Sequence, residues 1–201
     1  MRLYWSACVI FALVFVSSAS VSAQTLQFPV QGNWLVFQGP PCPAYGPPNH
    51  HCNTPNQQFA YDLVPAGGSC LGAPILSPTS GTVIEALDGY PDYPQFGQHI
   101  AGNHVVIQRS PNEYILMAHL AQGSVNVVTG SAVAIGQLIG RCGFNGNSNT
   151  PHLHIHMQSG PSIMHFGTPG LPMHFSNVGV LGPAGCTALN GQLLARGMTT
   201  C

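Results

Sequence analysis

Thr150-Pro151-His152-Leu153-His154-Ile155-His156-Met157 sets three imidazoles at alternate positions, and in a β-strand alternate residues share one face. The interleaved Leu153, Ile155 and Met157 then point the other way. The segment therefore reads as a strand with one face in an apolar core and one histidine-lined face over a groove. Neighbouring imidazoles are costly to bury without partners, and metal coordination or exposure in a cleft removes that cost. A single strand histidine is more often a packed residue than a ligand. The H-x-H pair acquires a metal meaning only with a further donor from elsewhere in the chain.

Working outward, the segments Leu35–Phe37, Gly81–Ala86, Asn103–Gln108, Tyr114–Leu120 and Ala132–Ile139 are β-branched or aromatic and bounded by turn residues, which predicts strands. With His152–Met157 they give an all-β chain, a mainly antiparallel β-sandwich or folded sheet. Long irregular stretches at Gly39–Gln58, Tyr90–Ala101 and after Ser159 are expected to surround a groove. Leu87-Asp88-Gly89-Tyr90 suits a tight turn, and Gly140–Asn149 (GRCGFNGNSN) is a Gly/Asn loop delivering the chain to the histidine strand.

The N-terminus carries Arg2, a long apolar run and the small residues Val21-Ser22-Ala23, the pattern of a secretory signal peptide cleaved after Ala23. Residues 24–201 then form one domain, exported to the periplasm or secreted. Six cysteines follow the leader: Cys42, Cys52, Cys70, Cys142, Cys186 and Cys201. An even number in an exported chain suggests a disulfide framework. Cys42–Cys52 across a Pro-rich loop and Cys186–Cys201 across the tail are the first pairings to consider. Charge is sparse, with no lysine, three arginines after the leader (Arg109, Arg141, Arg196) and five acids. No basic cluster exists for nucleic acid or, once the leader is removed, for an anionic membrane.

Two segments are candidates to meet the histidine strand. Asp62 sits between Tyr61 and Leu63, where an unpaired carboxylate is expensive to desolvate and a cation would stabilise it; a hydrogen-bonded structural aspartate is the alternative. His119 closes the segment Tyr114–Leu120, and a neutral imidazole at a strand end suits proton transfer. A His/Asp set with an open position is the pattern of a catalytic zinc site. The helical H-E-x-x-H design is absent from the sequence.

Five segments together resemble the M23, or LytM/lysostaphin-type, zinc metallopeptidases, which are peptidoglycan endopeptidases. They are Phe59-Ala60-Tyr61-Asp62, Pro78–Val83, Gly102–Ile107, Met117-Ala118-His119-Leu120 and Gly146-Asn147-Ser148 leading to Pro151-His152-Leu153-His154. The likeness spans about residues 34–175. It implies Zn2+ as cofactor, Asp62 and His154 as metal ligands, His119 and His152 as catalytic histidines, and a peptidoglycan or Gly-rich peptide substrate. The family's first ligand falls four residues before Asp62, where this chain has Gln58, a poor zinc ligand. Either His51 supplies the third ligand, with His50 and Cys52 as further options, or the domain is a degenerate relative that binds cell wall or a protein partner without cutting. His156 has no counterpart in the motif. A metal-storage protein using all three alternating histidines is a third reading.

Overall fold

The computed structural model describes residues 26–40, 50–54, 56–94, 100–162, 168–183, 185–188, 194 and 197–201. The expected leader at residues 1–23 and Cys42 lie outside them. The strands are β1 (Trp34–Gln38), β2 (Tyr61–Pro65), β3 (Pro74–Leu76), β4 (Gly81–Leu87), β5 (His104–Ser110), β6 (Glu113–Ala118), β7 (Ala132–Val133), β8 (Leu138–Arg141), β9 (Leu153–Gln158), β10 (Gly170–Leu171), β11 (Gly179–Gly182) and β12 (Gly185–Ala188). One 3-10 turn, His50–Asn53, precedes β2. Among the described residues no helix is long and apolar enough to cross a membrane.

The main sheet is antiparallel and runs β1-β2-β9-β6-β5-β4-β7, with β10 also on β9; β3–β8 and β11–β12 are separate pairs. The histidine strand β9 is thus interior, between β2 and β6. Alternation decides what each face does. Leu153 and Ile155 are fully buried with Tyr61, Leu63, Ile107, Ile115 and Met117 in the larger core. Each such side chain contributes roughly 1.5–3 kcal/mol of burial free energy, and a charge at Ile155 would break this layer. On the opposite face, His154 lies across from Ala118 and His156 across from Leu116. Leu116 and Ala118 belong to a second, smaller apolar cluster with Val106 and Tyr114.

Several local details differ from the sequence reading. Ala132–Ile139 is two strands, because Gly136 turns the chain with φ of 76° between β7 and β8. Gly140 and Arg141 finish β8 rather than beginning the loop. Asp88-Gly89 makes no hairpin turn: the Asp88 carboxylate instead accepts from the amides of Gly123 and Val125 at 2.8 and 3.1 Å. Disulfides join Cys186 to Cys201 and Cys70 to Cys142. The second of these pins the start of β3 to the loop that follows β8.

Candidate metal centre

The β2–β9 register places Asp62 directly opposite His154. Opposed residues in an antiparallel pair project from the same face, and Asp62 Oδ1 lies 2.9 Å from His154 Nδ1. The 3-10 turn brings His51 Nε2 to 3.3 Å from the same carboxylate oxygen. The three donors, all buried, lie within 4.8 Å of one another. Zinc bonds to nitrogen and oxygen of about 2.1 Å arranged tetrahedrally give donor–donor edges of about 3.4 Å. Two imidazoles and one carboxylate are donors that zinc takes, and the 2.9 and 3.3 Å separations to Asp62 Oδ1 approach this edge. Gln58 is itself exposed, in a turn at residues 56–59. Cys52 is disulfide-bonded, which removes it as a thiolate donor. The His50 side chain is outside what the structure describes.

His119 and His152 stand beside this set. His152 precedes β9 on the face of His154, with Nε2 3.4 Å from Asp62 Oδ1. The His119 and His152 rings are 4.7 Å apart, centre to centre. Each is oriented by a backbone carbonyl. His119 Nδ1 donates to Asn145 O at 2.8 Å, and His152 Nδ1 donates to Thr150 O at 2.7 Å with Ser148 Oγ at 3.1 Å. Both rings therefore keep Nδ1–H, which leaves Nε2 as the working nitrogen. His119 is the one non-glycine residue with positive φ, 63°, among the described residues. Such strain persists only where the surroundings over-determine it, and here β6 ends one residue earlier, at Ala118.

Residues 67–164 match the family model of Peptidase family M23. Over that segment, just under half of its length, the chain is of the M23 peptidase family. His119, His152 and His154 fall inside the matched M23 segment, while His51 and Asp62 precede it. No curated protein sequence matches the chain significantly. Among solved structures, a chain of the SpoIIIAH–SpoIIQ complex is 20% identical with a TM-score of 0.50, over 67% of this chain and 92% of that one. The catalytic domain of the prophage-encoded M23 protein EnpA from Enterococcus faecalis, as a mutant, is 19% identical over 74% of this chain and 87% of its own, with a TM-score of 0.46. The antimicrobial peptidase lysostaphin from Staphylococcus simulans is 20% identical over 73% of this chain, with a TM-score of 0.46. This chain spans 46% of that lysostaphin chain. At these identities the likeness is one of fold.

Electrostatics divide the imidazoles of this cluster. Burial acts to raise the Asp62 carboxyl, but the adjoining His152 and His51 outweigh it and hold the group well below the usual carboxylate range. Burial pushes His119 well below an ordinary histidine, helped by repulsion from His152 and His154. His152 experiences burial too, yet the charge and hydrogen bond of Asp62 raise it. His154 is lowered, chiefly by burial. Neighbouring groups pushed in opposite directions are a common basis for separate acid and base roles.

The sequence reading did not single out the asparagines that build this geometry. Asn145 accepts from Asn103 N through Oδ1 and donates to Asp92 and Leu120 O through Nδ2, at 2.6–2.9 Å. Its own carbonyl is then fixed for His119. Asn103 in turn bridges Tyr90 and Leu120 O. Gly102, with φ of 57°, is required here because a Cβ would overlap the Asn145 side chain. The run Phe144-Asn145-Gly146-Asn147-Ser148-Asn149 was the available signal, since buried asparagine and serine need partners.

Proposed function

We propose that this M23 domain is a zinc-dependent endopeptidase, exported or periplasmic, that cleaves the peptide cross-links of peptidoglycan or similar Gly-rich peptides. The observation that carries the reading is the His51–Asp62–His154 donor set with His119 and His152 turned towards it. Zinc, when bound, supplies a Lewis acid for the scissile carbonyl and lowers the pKa of water. His119, neutral at neutral pH and with Nδ1–H committed to Asn145 O, offers Nε2 to take a proton from the attacking water. His152, kept basic by Asp62, donates from Nε2 to the oxyanion that develops on the carbonyl. Asp62, besides binding metal, holds both the charge and the direction of His152. A shallow cleft of about 450 Å³ bordered by Phe37, Val64, Thr150 and Pro151 adjoins the start of β9 and offers an uncharged surface for substrate. Sparse charge and abundant amides in the chain suit a neutral peptide better than a polyanion.

The test is release of new amino termini from purified peptidoglycan and Gly-rich peptides by the metal-loaded protein. Activity is expected in the unmutated protein, lost in His154→Ala and in His119→Asn. Stoichiometric zinc without hydrolysis of walls of varied cross-link chemistry would contradict it. That result would favour the second reading, a non-catalytic wall-binding domain motivated by Gln58, for which wall binding persists in His154→Ala.

A further inference from the structure

His156, the member of the alternating triplet outside the donor set, belongs to a hydrogen-bonded chain running away from the site along β9. His154 Nε2 lies 2.9 Å from His156 Nδ1, and His156 Nε2 lies 2.9 Å from Gln158 Oε1. The Gln158 amide nitrogen donates to the carbonyls of Gly160 and Ser162, each at 2.7 Å. Carbonyl oxygens only accept, so the amide cannot be turned over without setting oxygen against two oxygens. Its Oε1 must face His156, where Asn56 Nδ2 also donates to it at 3.3 Å.

Direction then propagates along the chain. Gln158 Oε1 accepts, so His156 Nε2 carries a proton. A neutral His156 has a bare Nδ1, which accepts from His154 Nε2–H. A neutral His154 consequently presents a lone pair at Nδ1, the atom 2.9 Å from Asp62 Oδ1. The reverse order needs a doubly protonated His156, a cation almost wholly buried with a neutral imidazole and a neutral amide at its ring nitrogens, which is costly. A lone pair directed at a carboxylate oxygen is repulsive unless a cation is shared between them.

We propose that His156 and Gln158 are positioning residues that hold His154 in the tautomer whose Nδ1 binds the metal. The proposal rests on the zinc reading of the site above. Neither residue belongs to the His51–Asp62–His154 donor set. Their effect is to disfavour the competing metal-free arrangement, in which His154 keeps its proton on Nδ1 and donates it to Asp62. Outer partners of this kind fix the tautomer and strengthen the ligand.

The experiment is a competition titration of the metal-depleted full chain with zinc and a chromophoric chelator, paired with long-range 1H–15N NMR of the histidine rings. His156→Phe, which fills the space but removes the acceptor, is expected to weaken zinc binding about 10–100-fold. His156→Asn, which keeps an acceptor near the position of Nδ1, is expected to restore most of that loss, and His154→Ala to abolish stoichiometric binding. In the zinc-loaded unmutated protein the remaining His154 proton is expected on Nε2. Unchanged affinity in His156→Phe, or a His154 proton on Nδ1, overturns the relay while leaving the zinc site intact. Unchanged affinity in His154→Ala overturns the zinc site and the relay together. The NMR measurement uses the unmutated chain, so it decides the question even where a variant fails to fold.

Discussion

Replacing Cys70 and Cys142 together with alanine tests how the loop that carries Asn145 is held. The two cysteines are 72 residues apart in sequence and joined by a disulfide. In the chain-entropy account, a cross-link over that separation removes about 15 cal/mol/K from the denatured chain, or about 4.4 kcal/mol at 25 °C. Both cysteines are buried in the larger core, so the packing lost on substitution acts in the same direction. At about 2–4 °C per kcal/mol for a chain of this size, the melting temperature should fall by about 9–18 °C. Circular dichroism melting of the metal-free double variant, in non-reducing buffer, measures this. A local effect should accompany the global one. Cys142 lies three residues before Asn145, and its backbone bonds Gly72 and Ala73 at 2.8 Å. Hydrolysis assayed well below both melting temperatures should therefore also fall, because the carbonyl that orients His119 is less firmly held. A drop of less than about 3 °C, a small fraction of the entropic expectation, would refute the assignment of this bridge as the main clamp on the loop.

His119 offers a backbone test of the same site. With φ at 63°, His119→Asn should fold normally, since asparagine accepts the left-handed region, whereas His119→Val should lose about 1–3 kcal/mol more; equal melting temperatures for the two variants would count against strain at this position. The metal-free protein should also lose stability on acidification. His119 and His154 have folded pKa values below the ordinary 6.5, so the unfolded chain takes up protons below about pH 6.5 that the fold refuses. Their contribution is complete above that pH and lost as pH falls, and Asp62 adds the same sign in the carboxylate range. His152, raised by Asp62, opposes this with a contribution lost as pH rises through its folded value. Two lowered histidines against one raised predict a net fall in melting temperature from pH 6.5 to 5, smaller in His119→Asn. A flat or rising curve over that range contradicts the prediction.

The two-residue period of Leu153–Met157 made the core face of β9 and its histidine face legible from sequence, because alternation is a local property. What met the histidines was not. Asp62 faces His154 through a pairing of β2 with β9 across 92 positions, and nothing in either strand's own pattern specifies that register. The expectation that a loop histidine stands near Asp62 instead of Gln58 came from the resemblance, and three options stayed open because a short 3-10 turn has no periodic signal. The turn angle brings His51 to the carboxylate. Cys70–Cys142 was unforeseen for a related reason: sequence spacing favours nearby cysteines, whereas the β3–β8 pairing joins distant ones. Asn103, Asn145 and Gln158 were missed because amides look like ordinary loop or strand polarity until their burial is known. His156 had no role in sequence, since its partner Gln158 matters only through the carbonyls that fix its amide.

The zinc affinity and wall hydrolysis of His51→Ala, measured beside the unmutated protein, test the central claim most directly. If His51, Asp62 and His154 hold the metal, the unmutated chain binds one equivalent of zinc. Removing His51 should then weaken binding by more than the roughly 10–100-fold that loss of an outer partner costs, and abolish hydrolysis with it. One equivalent of zinc bound at unchanged affinity by His51→Ala, with full hydrolysis, would contradict the account.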